Sequence, residues 1–169
     1  GTYQPSPGQS TCLEADPGFF TSSEASASQE ECAPGTYQPS PGQSTCLEAD
    51  PGFFTSSEAS ASQEECAPGT YQPSPGQSTC LEADPGFFVS EAGQSQQTPA
   101  SLDQFVSSVR SIVAESCPEN TITLQESSTS EDECLTDSDG DRLHDEVDLD
   151  DDGDGIDDRF DFDSDNDGI

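Results

Sequence analysis

The chain has 169 residues, with 36 acidic side chains against three arginines and no lysine, and its formal net charge is −33. Such a chain repels nucleic acid and anionic membranes, which are therefore excluded as partners, and it favours cations. Only 28% of its residues are hydrophobic, and no stretch approaches the roughly 18 apolar residues of a membrane helix, so neither one large core nor direct membrane insertion is expected.

An internal repeat occupies the first half of the chain. The segment 1–34 recurs letter for letter as 35–68, and 1–20 recurs once more as 69–88. Each 34-residue unit divides into two 17-residue modules, because 32–48 and 49–65 both carry Pro-Gly and then an aromatic residue at the same offset. Repeats of this kind form arrays in which each unit contacts mainly its neighbours. We predict a first domain of tandem cysteine-rich repeats over 1–92.

The repeat also bears on the cysteine pairing. Cys32 aligns with Ala49 and Cys46 with Gln63, so alternate modules lack both cysteines together, as expected of bonded partners. This favours the bonds Cys32–Cys46, Cys66–Cys80 and Cys117–Cys134, with Cys12 bonded to a residue upstream of Gly1. The rival ladder is Cys12–Cys32, Cys46–Cys66 and Cys80–Cys117, with Cys134 free. Cysteine counting alone does not separate the two.

The stretch CAPGTYQPSPGQSTC, beginning at Cys32, resembles the cysteine-rich repeats near the ephrin-receptor stalk, which are related to tumour-necrosis-factor-receptor modules. The resemblance covers about 1–88 and, more weakly, 117–134. It implies short β-hairpins stacked end to end in an elongated, extracellular rod. The family's Cys-x-x-Cys is only half kept here, so alternate modules would rely on the pairs Phe19–Phe20, Phe53–Phe54 and Phe87–Phe88. These pairs are predicted to be small cores, or else exposed contacts between chains.

A different pattern follows over 93–136. Thr98 suits a helix cap and Pro99 a first turn. Apolar residues then recur at helical spacing, which predicts an amphipathic helix over 99–115. Its stripe is Leu102, Phe105, Val106, Val109, Ile112 and Val113. The stripe would pack on a Cys117–Cys134 module with a strand at 121–125, giving a small α+β domain, or it would dock on another subunit.

The last predicted domain, 137–169, carries aspartates in a 13-residue repeat: DSDGDRLHDEVDL, DDDGDGIDDRFDF and DSDNDGI. Alternate carboxylates, a turn glycine at position 6, a position-7 carbonyl and further acids at positions 9 and 12 form the oxygen-ligand rhythm of a Ca²⁺ loop. The first unit departs from it, since position 6 is Arg142. A register starting at Asp148 is the alternative, but it breaks the 13-residue period.

The predicted Ca²⁺ ligands are taken from the three units in turn. The first unit supplies Asp137, Asp139, Asp141, the Leu143 carbonyl, Asp145 and Asp148. The second supplies Asp150, Asp152, Asp154, the Ile156 carbonyl, Asp158 and Asp161, and the third supplies Asp163, Asp165 and Asp167. This stretch resembles thrombospondin type 3 calcium-binding repeats in their 13-residue form. The resemblance implies EF-hand-like loops without flanking helices, with little regular secondary structure, wrapped around a string of calcium ions.

No residue pattern indicates catalysis. His144 is the single histidine and lies among aspartates, and the chain has neither a glycine-rich phosphate loop nor a recognisable nucleophile–base pair. Ser/Thr-rich stretches are candidates for O-linked glycans on composition alone. Disulfides imply an oxidising compartment. We therefore predict an extracellular or cell-surface, calcium-binding structural protein that is not an enzyme.

Three roles fit that description, and the third is a stalk that carries a secreted enzyme. In the first, the chain is a self-assembling segment of a filament, stalk or fibre, with calcium ions and other copies of itself as partners. In the second, it is a spacer in an adhesin or receptor ectodomain whose binding head lies outside this segment.

Overall fold

The computed structural model describes residues 1–156, 158 and 159, and in that part of the chain it contains no α-helix. Its regular elements are short strands and one 3₁₀ turn. The strands are β1 Thr2–Tyr3, β2 Leu13–Glu14, β3 Phe19–Phe20, β4 Glu30–Glu31, β5 Thr36–Tyr37, β6 Leu47–Glu48, β7 Phe53–Phe54, β8 Glu64–Glu65, β9 Thr70–Tyr71, β10 Leu81–Glu82, β11 Phe87–Phe88, β12 Thr98–Pro99, β13 Gln104–Phe105, β14 Glu115–Ser116, β15 Thr121–Thr123 and β16 Cys134–Thr136. The 3₁₀ turn covers Glu131–Glu133.

Consecutive strands pair as antiparallel hairpins, from β1 with β2 to β15 with β16. Equivalent pairs recur in each 17-residue repeat, as in Tyr3↔Leu13 and Phe20↔Glu30. We call each repeat a module and count its positions from its first residue. Modules 1 to 8 begin at residues 1, 18, 35, 52, 69, 86, 103 and 120. Module 8 is three residues longer, since Ile122 pairs with Leu135, and its extra residues accommodate the 3₁₀ turn.

The chain divides into two compact units. The first comprises 1–82 and 89–97, and the second comprises 83–88 and the described residues from 98 onward. In both units most of the buried side chains occupy the same two module positions. Position 15 holds Ala15, Cys32, Ala49, Cys66, Ala83 and Ala100, and position 4 holds Thr21, Gln38, Thr55, Gln72, Val89, Val106 and Thr123. The predicted Phe-Phe cores are only half buried.

This core is small and partly polar. Hydrogen bonds between modules therefore contribute much of what holds neighbouring modules in place. The position-1 N–H donates to the position-4 carbonyl of the next module, as from Gly18 to Gln38 at 2.7 Å. The position-4 N–H donates to the position-9 carbonyl of the following module, as from Gln38 to Ser60 at 3.0 Å. The position-8 N–H reaches back two modules, as from Ala59 to the Cys32 carbonyl at 2.9 Å. These bonds give backbone groups of each module partners in other modules.

Two kinds of link alternate along the first unit: a disulfide from position 15 and a hydrogen-bonded pair from position 16. Cys32 bonds Cys46 and Cys66 bonds Cys80, each joining position 15 of one module to position 12 of the next with Cα atoms 5.8 Å apart. In the first unit, where position 15 of a module is alanine (Ala15, Ala49), position 12 of the next module is glutamine (Gln29, Gln63). Gln63 accepts from the Asp50 N–H at 2.7 Å and donates to the Asp50 carboxylate at 2.8 Å, and Gln29 binds Asp16 in the same way.

The third bond, Cys117–Cys134, lies in the second unit, and Cys12 is a free, exposed thiol. The structure thus forms the three bonds that the paired-loss alignment favours, and none of the rival ladder. Alternate modules rely on the glutamine–aspartate pair rather than on the phenylalanine pairs that the sequence predicted.

The equivalence of the two links predicts an additional disulfide. The double substitution Ala49→Cys, Gln63→Cys places thiols at the module positions that Cys32 and Cys46 occupy. We expect spontaneous oxidation and a gain of about 3 kcal/mol, because the closed loop has about 15 residues. Non-reducing peptide mapping and urea unfolding with and without reductant measure both effects. The single variants are the controls, and two free thiols in the oxidised double variant would contradict the equivalence.

The predicted amphipathic helix over 99–115, and with it the α+β module, is wrong. Thr98 and Pro99 form β12 and pair with Phe88 and Phe87. The remainder of the stretch belongs to the β13–β14 hairpin of module 7. The predicted stripe does not stay on one face: Phe105 and Val106 are buried, whereas Leu102, Val109, Ile112 and Val113 are exposed.

The 17-residue spacing of the modules explains why this segment is not helical. Position 1 has a positive φ in every module from the second onward, and modules 7 and 8 place Asp103 (67°) and Asn120 (58°) where earlier modules have glycine. Aspartate and asparagine tolerate this conformation better than other residues with a Cβ. An isolated helix of about 16 residues is marginal in water. Hydrogen bonds to neighbouring modules, such as Val106 N to Ser128 O at 2.9 Å, stabilise the hairpin instead.

Candidate metal centre

Two acidic loops follow module 8. The first loop comprises 137–149, and the second begins at Asp150 and is described to residue 159 except for position 157. Each loop brings three carboxylates together, so that one oxygen from each lies within 4.8 Å of the others. The trios are Asp137, Asp139 and Asp141 in the first loop and Asp150, Asp152 and Asp154 in the second.

The two loops share one hydrogen-bond pattern when they are aligned in the 13-residue register. The aspartate at position 3 accepts from the N–H at position 5, and the aspartate at position 5 accepts from the N–H at position 7. These bonds are Asp141 N to Asp139 (3.0 Å), Asp154 N to Asp152 (3.0 Å), Leu143 N to Asp141 (2.7 Å) and Ile156 N to Asp154 (2.8 Å). The N–H at position 9 donates to the carbonyl that precedes its loop, from Asp145 to Thr136 and from Asp158 to Leu149, at 2.9 Å each. This repetition favours the 13-residue register.

Asp148 stands at the junction of the loops rather than at the start of one. Its carboxylate accepts from the N–H groups of Leu149 and Asp150, at 2.6 and 3.2 Å. Position 6 is left-handed in both loops, with φ of 78° at Arg142 and 89° at Gly155. The first loop therefore keeps the turn despite its departure from glycine, and the Arg142 side chain points towards Asp103, with Nη2 and Oδ2 3.7 Å apart.

The position-9 carboxylates turn towards position 2 of their own loops. Asp145 accepts from both the N–H and the hydroxyl of Ser138 at 3.0 Å, and Asp158 accepts from the Asp151 N–H at 3.0 Å. Burial raises the pKa of Asp145, but hydrogen bonds from Ser138 and Thr136 outweigh it and hold that pKa below its ordinary value. Asp145 is thus an anion at neutral pH.

Asp151 was not among the predicted ligands. One of its carboxylate oxygens, Oδ1, is buried and accepts no hydrogen bond within the described part of the chain, and Nδ1 of His144 is likewise buried without a partner there. Burial raises the pKa of Asp151. Repulsion from nearby carboxylates raises it further, and these belong to Asp158, Asp145, Asp148 and Asp139. In the sequence, Asp151 occupies position 2 of the second loop, where the first loop has Ser138. An acid at this position adds charge but lies outside the alternating ligand positions 1, 3 and 5.

The chemistry of both trios fits Ca²⁺. Carboxylate and carbonyl oxygens are the ligands that this ion takes, six to eight at a time. Without a cation, each pair of carboxylates about 5 Å apart repels by roughly 1 to 3 kcal/mol, depending on the local dielectric. In each loop the trio would hold the ion. The position-7 carbonyl and the acids at positions 9 and 12 follow along the chain and would complete the shell. The predicted ligands Asp161, Asp163, Asp165 and Asp167 lie outside the described residues.

Comparison with known families supports the interpretation of the repeats. A family model described as tyrosine-protein kinase ephrin type A/B receptor-like matches residues 30–66. The match spans one disulfide and the first cysteine of another, and the disulfide pairs fit such a cysteine-rich repeat. Together they indicate an extracellular region. No curated protein matches the chain.

Among the described residues, no helix has the length and apolar character needed to cross a membrane.

Proposed function

We propose that this chain is a segment of an extracellular, calcium-binding structural protein that assembles with copies of itself into a filament, stalk or fibre. One observation carries the proposal: two acidic loops, with equivalent hydrogen bonds in the same register, follow an array of disulfide-linked hairpins. A disordered acidic tail would have no reason to repeat that pattern. No catalytic role is proposed.

The calcium component rests on charge as well as geometry. The described loops hold two carboxylate trios in a chain whose net charge is already −33. Ca²⁺ removes this repulsion and supplies a centre about which each loop can close. The resemblance of 137–169 to thrombospondin type 3 repeats supports the same assignment. Isothermal titration with CaCl₂ tests it directly, and no heat of binding at millimolar calcium would contradict it.

The assembly component rests on the apolar tip of module 7, which we define as Val109, Ile112 and Val113. Their side chains are 56%, 55% and 63% exposed. The other modules carry proline, serine, threonine, alanine, glutamine or glutamate at these three positions. A cluster of exposed aliphatic side chains that only one module carries is typical of a contact surface. The occupant we propose is another copy of this chain, brought close once calcium has reduced the repulsion.

Replacing Val109 and Ile112 by aspartate is expected to abolish assembly in calcium without unfolding the modules, since both side chains are exposed. Sedimentation velocity and electron microscopy measure assembly, and peptide mapping checks the disulfides. Leu47→Asp is the matched control, because Leu47 is also exposed (46%) but lies on strand β6 of module 3. If the double variant still forms the same polymers, the apolar tip is not the contact.

The second candidate function is a spacer in a cell-surface adhesin or receptor. The receptor-like match at 30–66 favours it. In that case the purified segment remains monomeric at millimolar calcium, whereas the first proposal expects regular polymers under the same conditions.

A further inference from the structure

The first acidic loop begins at a residue that also closes module 8. The Asp137 N–H donates to the Asn120 carbonyl at 2.9 Å. In earlier modules the same bond runs from position 15 to position 1, as from Cys32 to Gly18 and from Ala49 to Gly35, also at 2.9 Å. After allowance for the three extra residues of module 8, Asp137 therefore occupies its position 15. It is buried like its equivalents, with 4% of its surface exposed.

Where position 15 is a cysteine, it joins its module to the segment that follows. In modules 2, 4 and 7 it is a cysteine bonded to the next module. In module 8 the segment that follows is the acidic loop, and position 15 is a carboxylate. That carboxylate already turns towards the loop, because it accepts from the N–H groups of Gly140 and Arg142, at 3.0 and 3.3 Å.

A second contact links the loop to module 7. Arg142 pairs with Asp103, which stands at position 1 of that module. Both side chains are largely solvent-exposed, so this pair is worth at most about 1 kcal/mol and orients the loop rather than holding it. Asp137 connects the loop to module 8 through its backbone N–H and its buried carboxylate, and the Asp145 N–H adds a bond to the Thr136 carbonyl at 2.9 Å.

We propose that Ca²⁺ bound through Asp137 links the first loop to module 8 as the disulfides link earlier modules, so that calcium binding in this loop and the folding of module 8 form one coupled equilibrium. The inference rests on the calcium binding proposed above. Coupling of this kind is reciprocal: calcium stabilises the hairpin β15–β16, and disruption of the hairpin weakens calcium binding at the first loop.

In the second loop, the residue equivalent to Asp137 makes its hydrogen bonds within the acidic segment instead. Asp150, the counterpart of Asp137, accepts from the Gly155 N–H within its own loop, and its own N–H donates to Asp148. Calcium in the second loop should therefore leave module 8 unchanged. This difference between two loops of the same chemistry gives the experiment an internal control.

The test is the rate at which dithiothreitol reduces Cys117–Cys134 in the intact chain, with calcium and with chelator. At free calcium about 100 times the dissociation constant, the population of opened module 8 should fall by up to about 100-fold, and reduction through that opening should slow accordingly. Cys32–Cys46 and Cys66–Cys80 are internal references whose rates should not change. Amide hydrogen exchange at Ile122 and Leu135 reports the same opening without chemistry at sulfur.

Two variants separate the loops. Asp137→Ala introduces the residue that position 15 already carries in modules 1, 3, 5 and 6, so module 8 should fold. It should lose the calcium effect on Cys117–Cys134 while the second loop still binds. Asp150→Ala should weaken binding at the second loop and leave the calcium effect on Cys117–Cys134 intact.

The outcomes distinguish this inference from the proposed function. Calcium binding by titration without slower reduction of Cys117–Cys134 overturns the coupling alone. The coupling through Asp137 is also overturned if Asp137→Ala retains full calcium protection, or if Asp150→Ala abolishes it. Absence of any calcium binding overturns both proposals.

Discussion

Chelation of calcium is expected to open the acidic loops and expose them to trypsin while the repeat array stays folded. Each loop holds three carboxylates within 4.8 Å of one another, and their mutual repulsion is unopposed once the cation is removed. Extracellular sites of this class bind with dissociation constants of about 10⁻⁴–10⁻³ M, so millimolar calcium and EDTA bracket the transition.

The sequence makes the protease experiment specific. Trypsin can cut only after Arg110, Arg142 and Arg159, because the chain has no lysine. Arg142 lies in the first loop and Arg159 in the second, whereas Arg110 lies at the exposed tip of module 7. EDTA should accelerate cutting after the two loop arginines by at least about tenfold, which corresponds to about 1.4 kcal/mol of calcium-dependent protection. Cutting after Arg110 should stay unchanged when the protein is dilute enough to remain monomeric, since only assembly would cover the tip of module 7.

Magnesium serves as the ion control in this experiment. It demands near-octahedral geometry and keeps its own waters, so it should restore protection poorly at the same concentration. Equal cutting after Arg142 in calcium and in EDTA would show that the first loop is not ordered by calcium.

Gly52→Ala is expected to destabilise the first unit by about 2–5 kcal/mol, the sum of a backbone cost and a steric cost. Gly52 stands at position 1 of module 4 with φ of 86°, a conformation that costs a residue with a Cβ roughly 1–2 kcal/mol. An added Cβ would also overlap the Gly93 carbonyl, whose carbon lies 2.8 Å from that point. Both groups are backbone, so relief requires the hairpins to separate, at a cost of about 1–3 kcal/mol.

Gly76→Ala is the matched control for that variant. Gly76 also has a positive φ, 71°, but at position 8, where Ala25 and Ala59 already adopt 60° and 54°. Its added Cβ would lie 3.5 Å from the carboxyl carbon of Glu48, a flexible side chain. We expect a loss below about 1 kcal/mol. Urea unfolding followed by tyrosine fluorescence compares the two, and equal losses would mean that the contact between modules two apart is not a determinant of stability.

The repeat and its disulfides were accessible from the sequence because each is a local or periodic signal. The paired replacement of Cys32 and Cys46 by Ala49 and Gln63 indicated which sulfurs are bonded, and the structure forms those bonds. The role of Gln63 was not foreseen. Replacement of the two cysteines by alanine and glutamine looks like the simple loss of a disulfide, whereas in the structure Gln63 makes two hydrogen bonds to Asp50.

The segment 98–116 shows where prediction from the apolar pattern failed. Apolar spacing of three and four predicts a helix, but the 17-residue spacing of Gly86, Asp103 and Asn120 is the signal that the structure follows. It was hidden because aspartate and asparagine replace glycine while keeping its backbone conformation. Helical periodicity is a weak prior when backbone hydrogen bonds to neighbouring modules compete with those inside a helix.

The sequence by itself determined the module length and the acidic ligand rhythm and favoured the disulfide partners that the structure forms, since each depends on residues at fixed separations along the chain. Only the tertiary structure decided that modules 6 and 7 replace the helix and that Asp137 belongs to a hairpin as well as to a loop. Both outcomes depend on hydrogen bonds between segments that are distant along the chain, such as Cys117 N to Asp103 O and Arg110 N to Ala83 O, at 2.9 and 2.7 Å. Such bonds form only when successive hairpins stack, because a buried backbone group must find its partner wherever the neighbouring module presents one.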